Sequence, residues 1–157
     1  MSENAQKAYE SMESLVGLDP VAGDWFKLTQ ERINDFADTT LDHQFIHIDP
    51  ERAAQTPFGG TVAHGFLTLS MLVHLSTTIP VDSPRLEGIL MGVNYGLNKV
   101  RFINPVPAGS RIRATSQTID VVLKGNAIDM TRLMTVEIEG QDKPALIAEW
   151  IGRTVFA

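Results

Sequence analysis

Residues 63–79 read AHGFLTLSMLVHLSTTI, and their spacing predicts one mostly apolar helix from about Ala63 to Thr77. Phe66, Leu67, Leu69, Met71, Leu72, Val73 and Leu75 cover nearly all of its sides, and a helix that is apolar all round is a buried helix. What buries it lies downstream. Segments 88–103 (GILMGVNYGLNKVRFI), 111–123 (RIRATSQTIDVVL), 127–138 (AIDMTRLMTVEI) and 144–156 (PALIAEWIGRTVF) are strand-like, separated by the turn sequences PVPAGS, KGN and EGQDK. In the third of these, Met130, Met134, Val136 and Ile138 share one face, with Thr131, Thr135 and Glu137 on the other. Strands in series joined by short turns imply an antiparallel sheet. Helices first and a meander afterwards imply an α+β domain in which the apolar face of the sheet covers the buried helix.

Upstream of the helix the chain is more polar. Residues 1–23 form a weakly helical leader, closed off by the turn-like LDPVAGD at 18–24, and Trp25–Leu28 fits a short strand. TQERINDFADTT at 29–40 opens a helix in which Thr29 caps the free amides. Asp49 and Pro50 start a second, short helix, as cap and first residue. Between these helices lies TLDHQFIHI, an irregular stretch of the kind that carries functional side chains. With 157 residues the whole chain, 1–157, reads as one domain.

Composition removes several classes of function. Nineteen acidic against 13 basic residues give a formal charge of −6, which repels a phosphate backbone, so nucleic acid is not an expected partner. A polyanionic ligand must be held by a few local cations. There is no cysteine, which excludes disulfides, thiolate nucleophiles and zinc knuckles. The first residues lack the basic and apolar regions of a secretory signal, and no apolar run reaches the length of a membrane span. A cytoplasmic protein with no membrane partner is expected.

Chemistry then rests on His, Asp, Glu or Ser. Asp42 and His47 place a carboxylate and an imidazole five residues apart in a non-helical bend, where they can hold one water between them. The plainer alternative makes Asp42 a turn cap and His47 a satisfied loop histidine. Gly65, near the start of the buried helix, offers an unpaired backbone N–H to a developing negative charge, or else simply allows close packing. His43 and His47, four apart, raise a metal site, but Leu41–Ile48 does not read as a continuous helix, and no metal is expected. His43 reads as a solvated neighbour and His74 as a packed residue within the buried helix. Ser70 lacks a nucleophile elbow and reads as a hydroxyl bonded to a preceding carbonyl. Asn94 and Tyr95 form a polar, glycine-flanked patch fit for lining a substrate channel or for a structural role. Arg101, Arg111 and Arg113 are either phosphate contacts or a solvated strand face.

FADTTLDHQFIHIDPERAAQTPFGGTVAHGFLTLSML, residues 36–72, resembles the signature of the MaoC-like dehydratases and R-specific enoyl-CoA hydratases, with DHQFIHIDPERA nearest the branch that includes NodN-like proteins. The likeness continues through NYGLNKVRFINPVPAGSRIRA at 94–114. It implies a hot-dog fold and places Asp42 and His47 on the catalytic pair, His64 and Gly65 on a His-Gly dipeptide, and the Gly65 amide on the oxyanion. It also implies reversible hydration of a trans-2-enoyl thioester of coenzyme A or an acyl carrier, without a cofactor, in a homodimer or larger assembly. A hot-dog thioesterase and a non-catalytic thioester binder are the competing readings. Three residues depart from the signature: Leu41 for Gly, Gln44 for Asn and Phe45 for Pro. Since Leu resists positive φ, the bend at Leu41 is expected to be made by other means.

Overall fold

In the computed structural model, residues 2–80 and 86–157 are described. Two helices and two short strands come first: α1 (Glu3–Glu13), β1 (Val21–Ala22), β2 (Phe26–Lys27) and α2 (Gln30–Thr40). Single turns α3 (Phe45–Ile48) and α4 (Pro50–Ala53) lead to α5 (Gly65–Ser70) and α6 (Leu72–Ser76), followed by β3 (Ile89–Phe102), β4 (Arg111–Lys124), β5 (Ala127–Ile138) and β6 (Leu146–Phe156). Every strand pairing is antiparallel. The sheet runs in the order β1-β4-β5-β6-β3, with β2 also on β4. One sheet face wraps the α5–α6 segment, and this is the α+β hot-dog architecture.

Alternation along β5 sets the inner face. Met134, Val136 and Ile138 are buried and join Leu67, Leu72 and Leu75 of the helices in the main core. A second cluster forms where Ala5, Ala8 and Met12 of α1 pack on Val121, Ile128 and Phe156. The leader read as weakly helical thus holds a full helix packed on the sheet. The small alanines let α1 approach the sheet closely, and Ser2 caps it by accepting the Ala5 N–H at 3.2 Å.

The central helix also departs from expectation. It starts at Gly65, with His64 as the preceding cap position, and is interrupted at Met71. It is not buried all round, because Phe66 and Val73 are 70% and 51% exposed. One chain supplies a single sheet face, which covers only one side of the helix. Much of β3 is likewise exposed: it is an edge strand, with register shifts after Ile89, Asn94 and Asn98. Such shifts bend and twist a strand.

Candidate active site

The site is assembled by the two joints that flank α3. Thr29 caps α2 as expected, accepting the Arg32 N–H at 3.3 Å. At the other end Leu41 itself takes the left-handed conformation, with φ 61° and ψ 23°. The bend expected to avoid positive φ is thus made by it, and an 80% exposed leucine carries the strain. The turn releases Asp42, whose carboxylate accepts the Gln44 N–H at 3.4 Å and remains half exposed. Phe45–Ile48, expected to be irregular, closes one helical turn that carries His47 inward to 7% exposure.

His47 is fixed from three sides. Its Nδ1–H donates to the Val62 carbonyl at 2.7 Å, while the Val62 N–H donates to Ile46 at 3.0 Å. Gln30 Nε2 donates to the His47 carbonyl at 2.7 Å, and its Oε1 accepts the Thr61 hydroxyl. Because Nδ1 is committed to a carbonyl, the Nε2 lone pair of neutral His47 is the one left for chemistry. Burial holds His47 below its ordinary pKa of 6.5. The Val62 carbonyl opposes that effect, the nearby His64 ring adds to it, and the Asp42 carboxylate opposes it.

His64 completes the group. Its ring stacks on His47 with centroids 3.8 Å apart, and Phe36 tilts against its other surroundings at 5.0 Å. Its Nε2–H donates to the backbone carbonyl of Asp42 at 3.0 Å, and the Asp42 carboxylate lies 4.0 Å away. Nδ1 of His64 is buried with no partner among the described residues. Ligand atoms of Asp42, His47 and His64 all lie within 4.8 Å of one another, a separation that also suits a metal ion. The hydrogen bonds argue for a different use. Nε2 of His64 carries a proton for the Asp42 carbonyl, which leaves the carboxylate and His47 Nε2 as the lone pairs free for chemistry.

Gly65 follows directly as the first residue of α5, so its N–H has no acceptor within the helix. The position suits glycine, because a Cβ there would meet the Phe102 ring at 3.0 Å and the ring would have to shift. Gly65, Phe102, Phe58 and Thr68 line a hollow of about 280 Å³, which Ala63 and Gly65, the chain neighbours of His64, bring to the N-terminal end of α5.

Other candidates fall elsewhere. His43 is exposed and pairs with Asp38 at 2.7 Å. His74 is exposed and meets Phe26 edge-on instead of packing inside a buried helix. Ser70 donates to the Phe66 carbonyl at 2.8 Å, as expected. Asn94 lines a separate hollow on the sheet, and Tyr95 lies under the Arg153 guanidinium at 3.8 Å. Arg111 and Arg113 pair with Glu139 and Glu137, while Arg101 donates to the Val100 carbonyl. Gln30, Thr61 and Phe36, which fix the two imidazoles, carry no signal in the sequence. Each is an ordinary residue at its position until the fold brings residues 30, 47 and 61 together.

A single antiparallel sheet around a short helix, with a carboxylate and a neutral imidazole near the N-terminal end of that helix, defines a hot-dog domain with a candidate acid–base site. The chain belongs to the MaoC-like domain family, whose sequence model matches residues 11–139. It is 49% identical over 152 residues to 3-hydroxyacyl-thioester dehydratase Z of Mycobacterium tuberculosis, covering 92% of this chain and 98% of that one. Nodulation protein N of Rhizobium meliloti is 46% identical over 147 residues, at 92% and 89% coverage. The MaoC-like dehydratase of Rhodospirillum rubrum has the same fold, with a TM-score of 0.72 at 19% identity over 92% of this chain and 96% of that chain.

Proposed function

We propose that this protein is a 3-hydroxyacyl-thioester dehydratase, equally an R-specific enoyl-thioester hydratase, acting on coenzyme A or acyl-carrier thioesters without a cofactor. The observation that carries the reading is the gathering of Asp42, His47 and His64, whose ligand atoms lie within 4.8 Å of one another, with Nδ1 of His47 committed to the Val62 carbonyl and its Nε2 left free. In hydration, a water held there loses a proton to one of the pair as its oxygen bonds to C3 of the enoyl group. The electrons of the C2–C3 double bond move toward the thioester, and C2 takes a proton from the acid that results. Dehydration is the reverse. The Gly65 N–H receives the thioester oxygen while negative charge develops on it, and the adjoining hollow holds the acyl portion. His64 is a positioning residue that ties the Asp42 backbone to the His47 ring.

The working protein is a homodimer that pairs along β3, in which the second copy covers the exposed side of α5–α6. Among the described residues no helix is long and apolar enough to cross a membrane. Action in the cytoplasm belongs to the same reading.

The test is loss of enoyl absorbance with crotonyl to dodecenoyl thioesters. Asp42→Asn and His47→Gln each lower kcat by about 10²-fold or more, with little further loss in the double variant. Release of free thiol in place of hydration assigns a thioesterase instead. Full activity in either single variant removes the pair from the chemistry.

A further inference from the structure

Arg132 stands among apolar residues on the inner face of the sheet. On β5 it shares its side with Met130 and Met134, so it separates the α1 cluster from the main core. Its neighbour across β6 is Trp150, and its guanidinium lies over that indole, 4.5 Å from the ring centroid. Burial is the one influence that moves its pKa, and it moves it down. Three other sheet arginines are ion-paired, Arg111 with Glu139, Arg113 with Glu137 and Arg153 with Asp129, and the fourth, Arg101, is exposed on the edge strand. Among the described residues Arg132 has no carboxylate within ion-pair reach.

This cation opens onto a hollow of about 420 Å³, in the size range of small-molecule sites. Its walls are mostly apolar, with Met12, Leu15, Val21, Ile79, Leu86 and Met130 among them. Gly65 and Ser76 mark opposite ends of the helical segment, and Ser76 lines this hollow, so it lies roughly 16 Å of helix away from the Gly65 amide.

We infer that this hollow is a second ligand site, one that takes a long-chain carboxylate with its tail among the apolar walls and its head on Arg132. One planar cation matches one carboxylate. A phosphate, which carries more charge, would meet a single guanidinium, an exposed Asp19 at the rim and a chain of net charge −6. The neutral alternative, a purely apolar ligand, gives the half-buried guanidinium no counter-charge.

Trp150 supplies the readout. In the full-length protein carrying Trp25→Phe, which leaves Trp150 as the one tryptophan, titration with dodecanoate changes the indole fluorescence saturably. Dodecanol of the same chain length binds at least about 10-fold more weakly. Arg132→Met weakens dodecanoate at least about 10-fold and leaves dodecanol unchanged, while Arg132→Lys keeps dodecanoate within about 3-fold. Turnover of crotonyl thioester is unchanged in Arg132→Met, and dodecanoate still binds the Asp42→Asn, His47→Gln double variant. Equal binding of the acid and the alcohol, or an Arg132→Met protein that binds dodecanoate as before, overturns the site. Loss of binding in the double variant assigns the ligand to the catalytic hollow and overturns it as well.

Discussion

Leu41 holds a left-handed backbone with its side chain in solvent, so it bears the strain of that conformation with little burial in return. Leu41→Gly removes a steric cost of about 1–2 kcal/mol and adds back part of it as freedom of the unfolded chain. The expected net gain is up to about 1 kcal/mol, seen as a rise of a few degrees in the melting temperature with turnover within about twofold. A lower melting temperature shows that the leucine is making a contact of its own. His47 gives the second test at this scale. Its folded pKa is depressed, so the neutral ring is favoured in the native state and the unfolded chain takes up its proton first. The stability this contributes is complete above the unfolded value of 6.5 and is lost as pH falls from there through the folded value. Urea denaturation across that window has a slope that His47→Gln flattens, and the acid limb of kcat/KM begins below pH 6.5.

At the scale of elements, β5, β6 and β3 are tied across the outer face by Asp129. Its carboxylate takes Arg153 through Nε at 2.6 Å and Nη2 at 2.8 Å, and Lys124 at 2.9 Å, which holds its pKa at about 2 despite burial. Arg153 in turn lies over Tyr95 of β3. Asp129→Ala leaves a partly buried guanidinium without its partner and is expected to cost roughly 3 kcal/mol in denaturant unfolding, with acid sensitivity now set by other groups. In the native protein this stabilisation is present above the ordinary value of 3.8 and fades as pH falls toward 2. Elements are legible in the sequence where a local rule fixes them. The Thr29 and Asp49 caps and the four long strands follow from residue type and spacing. The helical turn that buries His47 does not, since four residues show no period. Neither does the packing of α1, whose buried side is two alanines and a methionine in a polar stretch. Arg132 has the alternation of a core residue and the chemistry of a surface one, and only the sheet reveals the contradiction.

For the whole molecule, two elements carry a large share of the exposed apolar residues. Ile89, Met91, Val93, Tyr95 and Leu97 lie along the free edge strand, and Phe66 and Val73 on the open side of the helix. A long apolar edge of this kind pairs with another chain. Sedimentation is expected to give twice the chain mass of 17.3 kDa, and Val93→Lys, which sets a charge on that strand, to shift it toward the monomer. An unchanged dimer places the contact elsewhere. The fit between helix and partner is not readable from the sequence, because an apolar residue facing a second copy looks like one facing its own sheet. The strand order carries a further consequence, for synthesis. β3 pairs with β6, Phe102 with Leu146 and Ile89 with Phe156, so its bonds close across some of the longest separations in the chain. The β4–β5 hairpin forms as soon as it leaves the ribosome, whereas β3 emerges earlier and waits for a strand not yet translated. A nascent chain paused before Leu146 therefore displays an unpaired fourteen-residue strand to its neighbours on the polysome, an aggregation hazard that lasts until β6 is made.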